Sequence, residues 1–296
     1  MTGARVLLGH GTENDFVLLP DPDGDRWPDE LLDATLVRRL CDRRAGLGAD
    51  GVLRLVRSVH VPDAADVLGV DLDRCEWFMD HRNADGSTAE MCGNGIRLFL
   101  HALLAEGLVD PAAADAGLDV GTRGGLRRVG RAATGGYWVD MGPARPFGQG
   151  TAELRGVAFT GAAVSMGNPH LVALTDTPVD DLDLDGVPAV DPGLFPEGVN
   201  LEVVNVLEAE SGVEGASAHA RLRVVERGVG ETRSCGTGAC AVAYATLAAG
   251  GRDTGTVVVD VPGGRLVVQV SPATTVLTGP AVLVAAGTLT DEWLAG

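Results

Sequence analysis

The chain has 296 residues, 45% of them hydrophobic and 22% charged, with 41 acidic against 23 basic side chains and a formal net charge of -18. That length calls for two domains rather than one core, and the hydrophobic content lies far from the regime of disordered chains. The negative balance repels phosphate-rich partners, so neither nucleic acid nor an anionic membrane surface is an expected partner.

From the N-terminus onward, residues 1–8 hold one arginine and no apolar run of signal-peptide length. The longest uncharged stretches, such as residues 156–175, are interrupted by Gly, Asn, Pro and His and fall short of the roughly 20 apolar residues of a membrane helix. A cytoplasmic protein without a membrane span is expected. The acidic clusters at residues 21–25 and 180–185 alternate with Pro, Gly or Leu and read as solvated loops. Every basic residue is an arginine, so no lysine can form the imine on which pyridoxal phosphate enzymes depend. The five cysteines, at 41, 75, 92, 235 and 240, show no C-x-x-C pairing and read as reduced thiols, with neither a disulfide framework nor a metal site expected.

The first half opens with Asn14-Asp15-Phe16-Val17-Leu18 and reaches Met91-Cys92-Gly93-Asn94-Gly95, with Asn83 nine residues before the cysteine. Residues 96–106 lack Gly and Pro and are rich in Leu and Ala, which predicts a helix ending at Gly107. Gly142-Pro143-Ala144 follows, and the domain boundary is expected near residues 143–150. The second half repeats these landmarks in order. Asn168-Pro169-His170-Leu171-Val172 loosely echoes the opening run, and Glu226 stands nine residues before Cys235 in Ser234-Cys235-Gly236-Thr237-Gly238. A second helix is predicted over 239–249, ending at Gly250, and Gly279-Pro280-Ala281 closes the pattern. Strands are predicted at 203–207, 221–225, 257–261 and 266–270, the last two joined through Pro262-Gly263-Gly264. The result is an α+β protein of two pseudo-symmetric domains, residues 1–145 and 146–282, with a final strand at about 283–296 returning to the first.

Both predicted helices begin just past a cysteine. First-turn amides lack intrahelical acceptors and the macrodipole adds partial positive charge, so a thiolate is favoured there and an anion can be bound. Cys92 and Cys235 are therefore candidate bases, and the amides of Gly93, Asn94, Gly236 and Thr237 are candidates to hold a carboxylate. With both helices aimed at one bound carbon, one thiolate would remove an α-proton and the opposite thiol would return one to the other face. That is a two-base racemase that needs no cofactor.

These residues resemble the diaminopimelate epimerase family over nearly the whole chain. The main signatures are Asn83-Ala84-Asp85-Gly86-Ser87 through Met91-Cys92-Gly93-Asn94-Gly95-Ile96-Arg97, and Glu226-Arg227-Gly228 through Ser234-Cys235-Gly236-Thr237-Gly238-Ala239-Cys240. Shorter matches are Asn14-Asp15-Phe16, Gly48-Ala49-Asp50-Gly51, Met166-Gly167-Asn168-Pro169-His170, and Phe195-Pro196 with Asn200. The resemblance implies a mixed sheet or barrel around a central helix in each domain, with the active site in the cleft between them. It also implies a homodimer and interconversion of L,L- and meso-diaminopimelate, a small-molecule substrate, in lysine and peptidoglycan biosynthesis. Cys235 would be proton acceptor and Cys92 proton donor, with His170 and Glu226 tuning the thiols. Asn14, Asn83, Asn168, Asn200, Glu226 and Arg227 would bind substrate, chiefly its distal end, while Gly93, Asn94, Gly236 and Thr237 hold the reacting carboxylate.

Three positions depart from the pattern: Glu13 stands where the family usually has glycine, Gly51 where some members have glutamine, and Ala285 where some place a dimer-contact tyrosine. Two rival functions share the cysteine pair: another cofactor-independent racemase of the proline or histidine type, and a thiol redox protein. A carboxylate-binding module without catalysis is a third.

Overall fold

The structure is a computed structural model that describes residues 3–207 and 212–296. Met1 and Thr2, the start of the N-terminal half read from the sequence, lie outside the described residues, as do residues 208–211 of the second half. The chain divides into two compact units, Met1–Val139 with Pro280–Gly296, and Asp140–Gly279.

In the first unit the strand Val282–Leu289 pairs antiparallel with Ala4–Gly11, which pairs antiparallel with Asn14–Pro20. The ladder continues parallel to Gly51–Arg57, antiparallel to Trp77–Asn83, parallel to Leu118–Thr122, and then antiparallel to Gly125–Arg131 and Tyr137–Gly142. The second unit repeats this order of pairings. Arg145–Leu154 pairs antiparallel with Val157–Ser165, and that strand antiparallel with Pro169–Leu174. Pairing is then parallel to Asn200–Leu207, antiparallel to Ala218–Glu226, parallel to Gly255–Val261, and antiparallel to Gly264–Val270 and Thr275–Gly279. The repeat seen in the cysteine motifs is thus a repeat of the whole ladder.

A parallel pair needs a long crossover, and in each unit that crossover holds the long helix. Gly93–Ala105 lies between the strands Trp77–Asn83 and Leu118–Thr122, and Gly236–Ala249 between Ala218–Glu226 and Gly255–Val261. Ten residues of each helix are buried, covering nearly every face, as expected of a helix wrapped by its own sheet. Around the second, Val204, Leu222, Val257, Val259, Leu266 and Val268 are fully buried, which is how β-branched and leucine side chains build a core almost free of aromatics.

Both helices start three residues earlier than the Gly- and Pro-free runs suggest, at Gly93 and Gly236. The Gly-x-Gly segments belong to the first turn because the preceding cysteine caps it. The first helix ends before Gly107 at φ 67°, while in the second the left-handed residue is Gly251 at φ 70°, one place beyond the predicted stop. Among the described residues no helix is long and apolar enough to cross a membrane.

Candidate active site

Asn83 is the last residue of its strand and Glu226 the last of the corresponding one, so each crossover leaves the sheet at a polar side chain and reaches its cysteine nine residues later. Cys92 has extended backbone, φ -139° and ψ 118°, and its Sγ accepts the Gly95 N–H at 3.3 Å. Cys235 does the same, with φ -123°, ψ 116° and the Gly238 N–H at 3.4 Å. Each thiol therefore fills the role usually taken by a Ser, Thr or Asp oxygen, satisfying one orphan amide of the first turn. A side chain on Gly238 would sit 2.8 Å from Glu202 Oε1 and 3.4 Å from Cys235 Sγ, so anything larger than glycine would displace the Glu202 carboxyl group.

The first unit gathers Asn14, Cys92, Gly93 and Asn94. The Asn14 Nδ2–H donates to Asp50 Oδ2 at 2.8 Å, and a carboxylate oxygen can only accept, so Asn14 Oδ1 is turned the other way. There it accepts the Cys92 thiol at 3.5 Å and the Asn94 Nδ2–H at 3.4 Å. Asp50 is itself held by the Arg43 guanidinium at 2.8 Å, which also grips Asp15. Arg97, fully buried, donates to Gly93 O at 2.9 Å and Asn94 Oδ1 at 3.0 Å and fixes the first turn from within. Asn83 is less closely engaged: its amide donates to Ser87 Oγ at 3.0 Å inside its own exposed turn.

The second unit gathers Asn168, His170, Thr237 and Cys235 in one chain of contacts, with Gly236 between Cys235 and Thr237 in sequence. His170 Nδ1 lies 2.6 Å from Glu202 Oε1, and its Nε2 lies 2.9 Å from Asn168 Oδ1. Asn168 Nδ2–H donates to Thr237 Oγ1 at 3.4 Å, and that hydroxyl is 3.4 Å from Cys235 Sγ. Asn200 has a structural duty as well, donating to Pro169 O at 3.3 Å and accepting the Arg227 N–H at 2.9 Å. The Arg227 guanidinium reaches Glu197 Oε2 at 3.2 Å and stays largely exposed.

The Cys235 thiol is pushed well above its ordinary range. Burial is the main cause, joined by the charge of Glu226 and by that of Glu202 whenever it is ionised, with the Thr237 and Gly238 hydrogen bonds acting the other way. A thiolate-favouring helix end was the expectation, and its sign is right for those amides. Desolvation of a cysteine with only 6% exposure outweighs it. Asp50, Arg97 and Glu202 are the residues that sequence reasoning passed over. The first two lie inside quoted motifs, whereas Glu202 carries no local signal beyond standing two residues after Asn200.

Glu13, flagged as a departure, forms with Thr12 the two-residue turn between the strands ending at Gly11 and starting at Asn14. Both residues are left-handed, with φ 62° and 48°. Glycine is favoured in such turns, so Glu13 keeps the entry loop's shape at a local cost of about 1–2 kcal/mol.

The family model for "Diaminopimelate epimerase" matches residues 6–146 and 162–284. A diaminopimelate epimerase of Thermobifida fusca is 48% identical over 283 residues, covering 96% of this chain and 97% of that protein. One from Rhodococcus jostii is 46% identical over 294 residues, covering 97% and 98%. Among solved structures, a probable proline racemase from Agrobacterium radiobacter superposes with a TM-score of 0.64 at 17% identity, covering 99% of this chain and 96% of that one. At that identity the likeness shows the fold alone.

Proposed function

The chain belongs to the diaminopimelate epimerase family, and from that premise we propose that it interconverts L,L- and meso-2,6-diaminopimelate through Cys92 and Cys235 without a cofactor. The observation that carries this reading is the duplicated cysteine N-cap: two helices, one in each repeat, present a thiol and first-turn amides from the same position in the same ladder. In the L,L-to-meso direction Cys235 accepts the α-proton and Cys92 donates one to the opposite face. Microscopic reversibility exchanges these roles in the return direction.

The amides of Gly93, Asn94, Gly236 and Thr237 hold the carboxylate on the reacting carbon and stabilise the charge that flows into it as the proton leaves. Asn14, Asn83, Asn168, Asn200, Glu226 and Arg227 recognise the distal amino-acid end, where amide donors and acceptors and one guanidinium suit a zwitterion. His170 and Glu226 adjust the Cys235 thiol, Glu226 through its charge. The orientation of Asn14 fits the donor role of Cys92, because a carbonyl oxygen facing the sulfur stabilises S–H over S⁻. The enzyme works in the cytoplasm as a homodimer, which sedimentation would test.

Purified protein incubated with L,L-diaminopimelate in deuterium oxide, without added cofactor, should form the meso isomer with deuterium at the α-carbon. Recovery of unlabelled L,L-substrate alone would defeat the proposal.

A further inference from the structure

The two repeats can be superimposed residue by residue through their ladders. In the first unit Phe16 pairs with Gly51 and Leu18 with Leu53; in the second His170 pairs with Asn200 and Val172 with Glu202. His170 thus occupies the place of Phe16, and Glu202 that of Leu53. The helices agree: a side chain added at Gly95 would meet Leu53 and Phe16, each at 3.5 Å, while one added at Gly238 would meet Glu202. Beneath one cysteine-capped turn lies an apolar pair, and beneath the other a histidine and a carboxyl group, both with no solvent exposure. Packing alone is satisfied by Phe and Leu, so the polar pair serves another purpose.

Hydrogen-bond polarity identifies that purpose. Asn168 donates to Thr237, so its Oδ1 faces His170 Nε2, and that nitrogen must carry a hydrogen. Nδ1 then either is bare and accepts from a protonated Glu202, or carries a second proton and faces a carboxylate. Glu202 Oε2 is buried with no hydrogen-bond partner among the described residues. A charged oxygen left bare in a dry interior is far costlier than a carbonyl oxygen.

We propose that Glu202 is a positioning residue that holds its proton and donates it to His170 Nδ1, locking the Nε2–H tautomer so that Asn168 and Thr237 present a hydroxyl donor to Cys235. Burial and the nearby Glu226 both favour the protonated acid. In that form Glu202 also adds no negative charge beside the sulfur that must become a thiolate. This inference rests on the epimerase reading for its purpose, though not for its geometry.

Nitrogen-15 NMR of the histidine side chains, with His170 assigned by its absence in H170F, reads the tautomer directly in substrate-free enzyme. The expected result is a ring protonated only at Nε2 near neutral pH. An imidazolium or an Nδ1–H tautomer would overturn the assignment. E202L, which removes the donor, should lower kcat about 10- to 100-fold with little change in KM, the range of one hydrogen bond to a charged group. The acid limb of its kcat profile should move to higher pH, with His170, Glu226 and Cys235 the titratable groups facing that position. E202Q, whose amide N–H can replace the acid proton, should restore most of the lost kcat and keep the tautomer. Equal damage in E202Q and E202L would refute the donor role. The double variant H170F/E202L, which copies the apolar pair of the first unit, should fold with near-native stability yet remain slow; if it epimerises at the normal rate, the polar pair has no chemical role. Absence of epimerisation by unaltered enzyme would count against the function and leave the tautomer result intact.

Discussion

The two cysteine-capped turns share a backbone and oppose each other in polarity. Around the half-buried Cys92, Asn14 is turned by Asp50 to offer an acceptor, and the cluster that turns it, Arg43 with Asp15 and Asp50, lies at the surface. Around the buried Cys235 the Asn168–Thr237 chain offers a donor, and the pair behind it has no exposure at all. With Cys92 as acid and Cys235 as base, as proposed, a duplicated scaffold would take on the two roles by rotating two amides, with no change in its strand ladder.

The largest test removes each sulfur in turn. Cys92→Ala and Cys235→Ala should each lower epimerisation by at least about 10³-fold, as loss of a positioned acid or base does. Each should still exchange the α-hydrogen of one isomer in deuterium oxide and spare the other. Exchange of both isomers by a single variant would break the division of labour.

Next comes the contrast between the buried histidines. His81, beneath Phe16 in the first unit, has Nδ1 without a hydrogen-bond partner among the described residues, and burial pushes its pKa down to about 4. The unfolded chain binds a proton below about 6.5 and the folded one only near 4, so stability should fall by about 3 kcal/mol as pH drops across that window. Urea titrations at pH 7 and pH 4 measure this loss, which His81→Leu should largely abolish.

Thr237→Val, isosteric but without the hydroxyl, should slow turnover at neutral pH by about 10-fold or more and recover as pH rises, because a thiolate that loses a donor forms only at higher pH. A uniform loss at all pH values would show that Thr237 does not act on Cys235. Asp50→Leu frees the Asn14 amide and should cost about 10-fold or less in kcat. Removal of its exposed partner, in Arg43→Gln, should change the rate less than twofold, in keeping with the small worth of surface ion pairs.

Much of this was legible in the chain itself. The cysteines, their glycine flanks and the helices behind them follow from local composition, and the internal repeat announces two similar halves. Gly93-Asn94-Gly95 and Gly236-Thr237-Gly238 have the composition of turns, which puts the predicted helix starts three residues late, and only the cap explains why they wind. The identical order of parallel and antiparallel pairings depends on register between distant strands, which no window of sequence contains. Glu202 escaped notice for the same reason: its partner, His170, lies on the neighbouring strand, and nothing between residues 170 and 202 signals the pairing.

The first strand, Ala4–Gly11, finds one of its two neighbours in Val282–Leu289, which lies beyond the whole second unit along the chain. During synthesis, then, the N-terminal unit emerges first and keeps an open edge until Val282–Leu289 has followed the whole second unit. The later unit, continuous from Asp140 to Gly279, is made in full before that edge strand. The order of birth and the order of closure run in opposite directions.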